Sequence, residues 1–314
     1  MKFIKNLILF IIAFIIAINI QNYSHSNTLK FAQISDIHYT TKKKDTTFKS
    51  LSKSKELLED AIFQINTTPN IDFVMITGDL VDVPRIENVE NVLPIVNTLT
   101  SPWYLSFGNH DIAISGKLTK EKFVEILQEK NKNFIFDKGY YSFIPKKGFK
   151  IIVLDPIIDN KITGNGNIPQ EQSDWLDKEI STSKEEVILI FMHTPIIEPY
   201  KSAGHRLKNA DKIKEILEKH KKTIAVFSGH YHASKIEKEN NILYVSSPAL
   251  STYPNAFRII EIKNENNEAI FDFKFIETTK KDVQTKSKLK IFASQTYAGE
   301  EKDKNGIYTL KINK

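Results

Sequence analysis

Five short stretches of the chain set aspartate, asparagine and histidine directly behind an apolar run: I-S-D-I-H at 34–38, T-G-D-L-V-D at 77–82, F-G-N-H-D at 107–111, M-H-T-P at 192–195 and S-G-H-Y-H at 228–232. Oxygen donors mixed with neutral imidazole suit manganese, iron or zinc and disfavour copper(I) or calcium. The chain has no cysteine, so thiolate zinc, iron–sulfur and disulfide chemistry are excluded, as is a cysteine-linked lipid anchor. His38, His110, His193, His230 and His232, together with Asp36, Asp79 and Asn109, exceed the needs of one tetrahedral site. Two ions roughly 3.5–4 Å apart, sharing a bridging carboxylate, would use nearly all of them. Asp36 and His38 are two residues apart, so extended backbone turns both side chains to one face, and His230 and His232 repeat that spacing. Each pair could clamp one ion or lie across two. Gly78, Gly108 and Gly229 each stand immediately before a candidate donor, where they allow a sharp turn and close backbone approach. Taken singly, each is equally well explained as a plain turn glycine.

Donors so placed need strands that end just before them. Short runs rich in β-branched and aromatic residues at Leu29–Ser35, Asp72–Thr77, Trp103–Phe107, Glu186–Met192 and Thr223–Ser228 predict such strands. All five deliver their polar residues at the carboxyl end, the edge where open α/β sheets bind ligands. Helical spacing is read over Phe48–Ile65, Glu87–Leu99, Lys120–Gln128, Gln170–Ser181 and Ala210–His220, with Pro94 expected to kink or delay the second. A hairpin is predicted across Pro145–Gly148, and strands at Ile242–Ser246, Phe257–Ile262, Ala269–Glu277 and Gly306–Ile312. Early β/α alternation followed by late antiparallel strands predicts an α/β fold, two packed mixed sheets with helices outside. The polar stretch Thr278–Ser287 reads as a loop leading to a frayed tail.

In this order, D-x-H, G-D-x-x-D, G-N-H-D, H-x-P and G-H-x-H resemble the motifs of the calcineurin-like metallophosphoesterases, over roughly residues 29–262. The resemblance implies the four-layer α/β/β/α fold of that family and a dinuclear centre of two divalent or trivalent ions (Mn, Fe or Zn). It assigns Asp36, His38 and His232 to one metal, Asn109, His193 and His230 to the other, and Asp79 to the bridge. His110 would contact substrate phosphate or protonate the leaving oxygen, and Asp111 would orient it. Purple acid phosphatases place a tyrosine three residues after the bridging aspartate; here that position is Asp82. That departure, His38 in the first motif and S-S-P-A-L-S-T-Y-P at 246–254 resemble the phosphodiesterase branch, with a secreted phosphomonoesterase as the alternative. A non-catalytic phosphate-binding scaffold is disfavoured because none of the seven expected ligands is missing.

Around these residues the chain is ordinary globular material, 41% hydrophobic and 26% charged in 314 residues. The net charge of +6 is spread through lysines interleaved with acidic helices, so no concentrated nucleic-acid groove is expected. The partner read is a small phosphate ester, with no protein partner indicated. Residues 1–26, with Lys2 and Lys5 before the apolar run Leu7–Ile18, read as a cleaved signal peptide or an uncleaved N-terminal anchor. Either places the domain at 27–278 outside the cytoplasm and touches membrane only through that segment; residues 279–314 are left as an unassigned extension. Asp82 is read as a surface, capping or supporting residue, and His205 as a loop histidine or substrate contact. Tyr39 and Tyr231 line the pocket or merely pack; His25 and His220 fall in the leader and on the surface.

Overall fold

The computed structural model describes residues 28–113 and 116–312. The leader reading of residues 1–26, His25 included, lies outside the described residues. Among those described, no helix is long and apolar enough to cross a membrane.

Two six-stranded mixed sheets stack face to face. In the first, β1 (Thr28–Ile34), β2 (Phe73–Thr77) and β3 (Trp103–Ser106) run parallel, and β1 pairs on its other side with antiparallel β10 (Ala256–Glu265). The antiparallel strands β11 (Glu268–Glu277) and β12 (Gly306–Lys311) complete that sheet. In the second, β5 (Phe149–Val153), β6 (Val187–Phe191), β7 (Thr223–Ser228) and β9 (Ile242–Ser246) run parallel. Antiparallel β4 (Tyr141–Lys146) and β8 (Lys235–Glu239) form its edges.

Why these sequences stack is visible in the period-two alternation of the parallel strands. Leu189, Phe191, Ala225 and Phe227 join the core between the sheets. Their neighbours Ile188, Ile190, Ile224 and Val226 face a second core. Between the sheets phenylalanines interdigitate: Phe31 stacks on Phe73 at 5.0 Å and meets Phe191 and Phe227 edge-on at 5.5 and 5.2 Å. The outer core is closed by α4 (Gln170–Ser181) through Leu176 and Ile180 and by α5 (Ala210–Lys219) through Ile213 and Leu217. Helices α1 (Ser54–Thr67), α2 (Ile86–Val96) and α3 (Lys120–Lys130) bury Leu57, Leu58, Val89, Val92 and Phe123 with the first sheet. The α/β class, the paired mixed sheets and the flanking helices are as the sequence predicts.

Three local readings differ. Helix α2 continues through Pro94, because the proline sits in its last turn and forfeits only the bond to the carbonyl of exposed Glu90. Strand β8, K-I-E-K-E, was not legible: it is a charged edge strand with a single fully buried side chain, Ile236. Residues expected as loop contain helix α6 (Lys281–Leu289), whose inward stripe is only Val283 and Ser287. After it come the short α7 (Ser294–Ala298) and α8 (Glu301–Lys304), and β12 then pairs with β11. The buried Arg258 guanidinium anchors this segment by donating to the carbonyls of Asp303 and Lys304.

Candidate metal centre

The carboxyl ends of β1, β2, β3, β6 and β7 meet at one edge of the stacked sheets and bring together every donor read from the sequence. Asp36 Oδ1 lies 3.2 Å from His232 Nε2 and 3.9 Å from His38 Nε2, and those two nitrogens are 3.3 Å apart. Asp79 presents Oδ2 to His38 Nε2 and Oδ1 to His193 Nε2, each at 3.4 Å. His193 Nε2 lies 3.0 Å from His230 Nδ1. Two ligand clusters result, Asp36–His38–His232 and Asp79–His193–His230, both fully buried, with the Asp79 carboxylate facing each. His38, Asp79 and His110 form a third such grouping.

Asp36 Oδ1 and Asn109 Oδ1 are buried with no hydrogen-bond partner. A buried carboxylate or amide oxygen without a donor is costly, and a cation at these positions would satisfy both. The imidazoles are held in fixed orientation as well. His193 Nδ1 donates to the Thr77 carbonyl at 2.8 Å, which fixes Nε2 toward Asp79. His232 Nδ1 meets Thr252 Oγ1 at 2.8 Å, which leaves Nε2 toward Asp36. Outer partners of this kind orient metal-binding histidines.

Electrostatics favour neutral imidazoles beside ionised carboxylates. Burial and the Lys49 ammonium hold His38 well below its ordinary range, and burial with His193 brings His230 down to about 3. His193 is the exception: burial opposes its charge, but the Asp79 carboxylate outweighs burial and raises it to about 9. Asp79 itself is buried, which disfavours its charge, yet His193, His110 and His38 keep it well below the usual carboxylate range.

The backbone is unusual where the donors sit. Asp36, His38, Asp79, His230 and His232 all have positive φ, between 48° and 70°. The expectation of extended pairs at 36/38 and 230/232 is therefore corrected: the side chains converge through left-handed turns, because the chain must reverse sharply as it leaves each strand. Close approach explains two of the glycines. A Cβ on Gly229 would stand 1.9 Å from Ser35 Oγ, and one on Gly108 would stand 2.2 Å from the Asp79 backbone nitrogen.

Asp111 also departs from expectation. Its carboxylate accepts from the backbone N–H groups of Gly108 at 2.9 Å and Val81 at 3.1 Å, so it braces the loop and does not hold His110. Burial and the nearby Asp79 push Asp111 up to about 7. His110 is oriented by Asp82: His110 Nδ1 donates to the Asp82 carbonyl at 2.7 Å, and its backbone N–H donates to Asp79 Oδ1 at 2.9 Å. The Asp82 carboxylate lies 3.7 Å from both His38 Nδ1 and Lys49 Nζ, so Asp82 supports the site and caps no helix.

A recess of about 200 Å³ opens over the donors, walled by Phe48, Lys49, Tyr200, His205, Tyr231 and Tyr297. His205 and Tyr231 thus line it, whereas Tyr39 is buried beside Val81 and His220 pairs with Asp177 at 2.5 Å away from the site. Phe48, Lys49, Thr252, Tyr200 and Tyr297 are the residues that sequence reasoning missed. Only Thr252 had a signal, lying within the S-S-P-A-L-S-T-Y-P stretch. Lys49 sits in T-T-F-K-S, where nothing separates it from other lysines.

Known proteins resemble this chain over most of its length. A probable cyclic nucleotide phosphodiesterase of Xenorhabdus bovienii is 26% identical over 71% of this chain and 86% of its own length. A probable glycerophosphodiester phosphodiesterase of Arcobacter nitrofigilis is 24% identical over 70% of this chain and 77% of its own. A dimetal phosphatase of Danio rerio shares the fold, with a TM-score of 0.63 at 14% identity over 91% of this chain and 99% of that one. The family described as calcineurin-like phosphoesterase matches residues 29–234, two-thirds of the chain, and the protein belongs to it.

Proposed function

We propose that this phosphoesterase is a dinuclear metal-dependent phosphodiesterase acting on a small diester. The observation that carries the reading is Asp79, whose two carboxylate oxygens face two separate sets of donors at 3.4 Å each. Asp36, His38 and His232 would hold one cation, Asn109, His193 and His230 the other, and Asp79 both; this nitrogen and oxygen set fits manganese, iron or zinc. When bound, such a pair supplies positive charge to the phosphoryl oxygens and makes water a competent nucleophile near neutral pH. His110 does the proton work. Its Nδ1–H is committed to the Asp82 carbonyl, so Nε2 is the nitrogen left to serve a leaving oxygen.

Two recesses favour a diester over a monoester. The aromatic one described above meets a second cavity of about 470 Å³, lined by Ile112, Ile157, Ile158 and Lys161, at Asn109 and His110. A diester has a group for each; a monoester has only one. The names of the related phosphodiesterases support the same choice. Residues 1–26 we read as an export signal or anchor, which N-terminal sequencing of the exported protein checks.

The test is hydrolysis of bis(4-nitrophenyl) phosphate and 4-nitrophenyl phosphate by the manganese-loaded chain. The diester should be cleaved faster, chelation should abolish both activities and manganese should restore them. A reversed ratio would make the enzyme a phosphomonoesterase, and activity surviving chelation would remove the metal mechanism. His110→Ala should cost more with a methyl ester leaving group than with 4-nitrophenolate, because the latter needs no proton to depart.

A further inference from the structure

Among the described residues, Lys49 is the one lysine whose ammonium contacts the donor histidines. Its side chain belongs to the segment between β1 and α1, where Lys49 N–H donates to Thr46 Oγ1 at 3.0 Å and Ser50 N–H donates to the Ser251 carbonyl at 2.7 Å. The residue is 7% exposed, which is rare for lysine without a tight ion pair. No tight pair is present. Nζ lies 3.1 Å from His38 Nδ1, 3.4 Å from His110 Nε2 and 3.7 Å from Asp82 Oδ1, and it faces the aromatic recess.

These contacts leave a buried ammonium only partly satisfied. An ammonium has three protons to donate and no lone pair to accept with. The Asp82 carboxylate is beyond good hydrogen-bond distance. His110 Nε2, its Nδ1–H committed to Asp82, can accept one proton at 3.4 Å. His38 Nδ1 can accept a second only while its own proton sits on Nε2; with a cation on Nε2 the proton moves to Nδ1 and that acceptor is lost. A positive charge beside a site built to collect cations needs an anion between them. The recess that Nζ faces is also lined by Asp79, Asn109 and His110.

We infer that Lys49 is a substrate-binding residue, donating to a non-bridging phosphoryl oxygen of the ester held over the donor clusters. The inference rests on the phosphoesterase reading of the same site. It supplies what that reading lacks, a protein charge fixed on the phosphoryl group on the His110 side. The contact is a point charge with rotatable donors, so it serves monoester and diester alike and persists with the product phosphate.

The experiment is calorimetric binding of inorganic phosphate to the manganese-loaded chain, with Lys49→Met and Lys49→Arg alongside the natural sequence. Loss of one charge-assisted hydrogen bond predicts a ~10- to 100-fold weaker phosphate affinity in Lys49→Met. Manganese stoichiometry should stay unchanged, and Lys49→Arg should lie within a few-fold of the natural chain. Phosphate affinity within twofold in folded, loaded Lys49→Met would overturn the inference. So would loss of manganese from that variant, which would make Lys49 a support for His38. Because phosphate binding is read directly, a loaded natural chain that binds phosphate but cleaves no ester sinks the hydrolase reading and leaves Lys49 tested on its own. One that binds no phosphate refutes Lys49.

Discussion

Raising the pH of the chelator-stripped protein from 7.5 to 9.5 should cost it stability, and Asp79→Asn should remove that dependence. His193 is fully buried, and burial disfavours its charge, but the Asp79 carboxylate 3.4 Å from Nε2 prevails and raises it to about 9. The folded-state value lies above the ordinary 6.5, so the pairing contributes fully below pH 6.5 and is lost as the pH rises through about 9. Protonation at about 9 instead of 6.5 is worth about 3 kcal/mol, of which about 2 kcal/mol remains at pH 7.5 and nearly none at pH 9.5. Asp111, pushed up to about 7 by burial and Asp79, has largely finished titrating before this window opens.

The assay is urea unfolding followed by the fluorescence of Trp103 and Trp175, at pH 7.5, 8.5 and 9.5 with chelator present. Natural chain minus Asp79→Asn should narrow by about 2 kcal/mol across the series. Loading manganese at pH 7.5 should expel the His193 proton, since a cation takes Nε2, and should flatten the dependence. Parallel lines for the two chains would refute the pairing of Asp79 with a protonated His193.

Thr252→Val removes the oxygen 2.8 Å from His232 Nδ1 and should weaken manganese binding ~10- to 100-fold in a chelator-competition titration, with the unfolding midpoint nearly unchanged. Asp111→Ala strips the buried N–H groups of Gly108 and Val81 of their acceptor and should cost roughly 2–6 kcal/mol in urea unfolding, whereas Asp111→Asn, which keeps one oxygen, should cost less. Arg258→Met should loosen the segment it anchors, so limited proteolysis should cut within 281–312 before the sheets unfold; unchanged protection there would assign the anchoring to other contacts.

The donors were legible because parallel strands buried on both faces spell themselves out. V-I-L-I-F at 187–191 has no polar interruption, so the histidine one residue after Met192 stands out at its end. The same contrast marks Asp36, Asp79, Asn109 and His230. What failed is what lacks that contrast: β8 and α6 each bury too little to leave a period. Lys49 is defined by what surrounds it in space, contributed by residues as distant in sequence as His110. Asp111 failed differently, since adjacency to His110 in sequence suggested a contact that the turn directs elsewhere.

The left-handed backbone under five of the seven expected ligands connects these successes and failures. Each such residue costs of order 1–3 kcal/mol and persists only where its surroundings over-determine it. They do so here: Asp36 N–H is held by the Gly78 carbonyl at 3.1 Å, His38 N–H by the Asp79 carbonyl at 2.9 Å, and His230 N–H by Asp36 Oδ2 at 3.0 Å. The motifs D-x-H and H-x-H are therefore not strand spacings. They are pairs of left-handed residues straddling a buried one, Ile37 in the first and Tyr231 in the second, whose side chains are 0% and 2% exposed. Aspartate, asparagine and histidine are the non-glycine types most tolerant of that conformation. The turn and a metal centre would thus ask for the same residues, which is why the candidate ligands are readable in the sequence while the backbone that carries them is not.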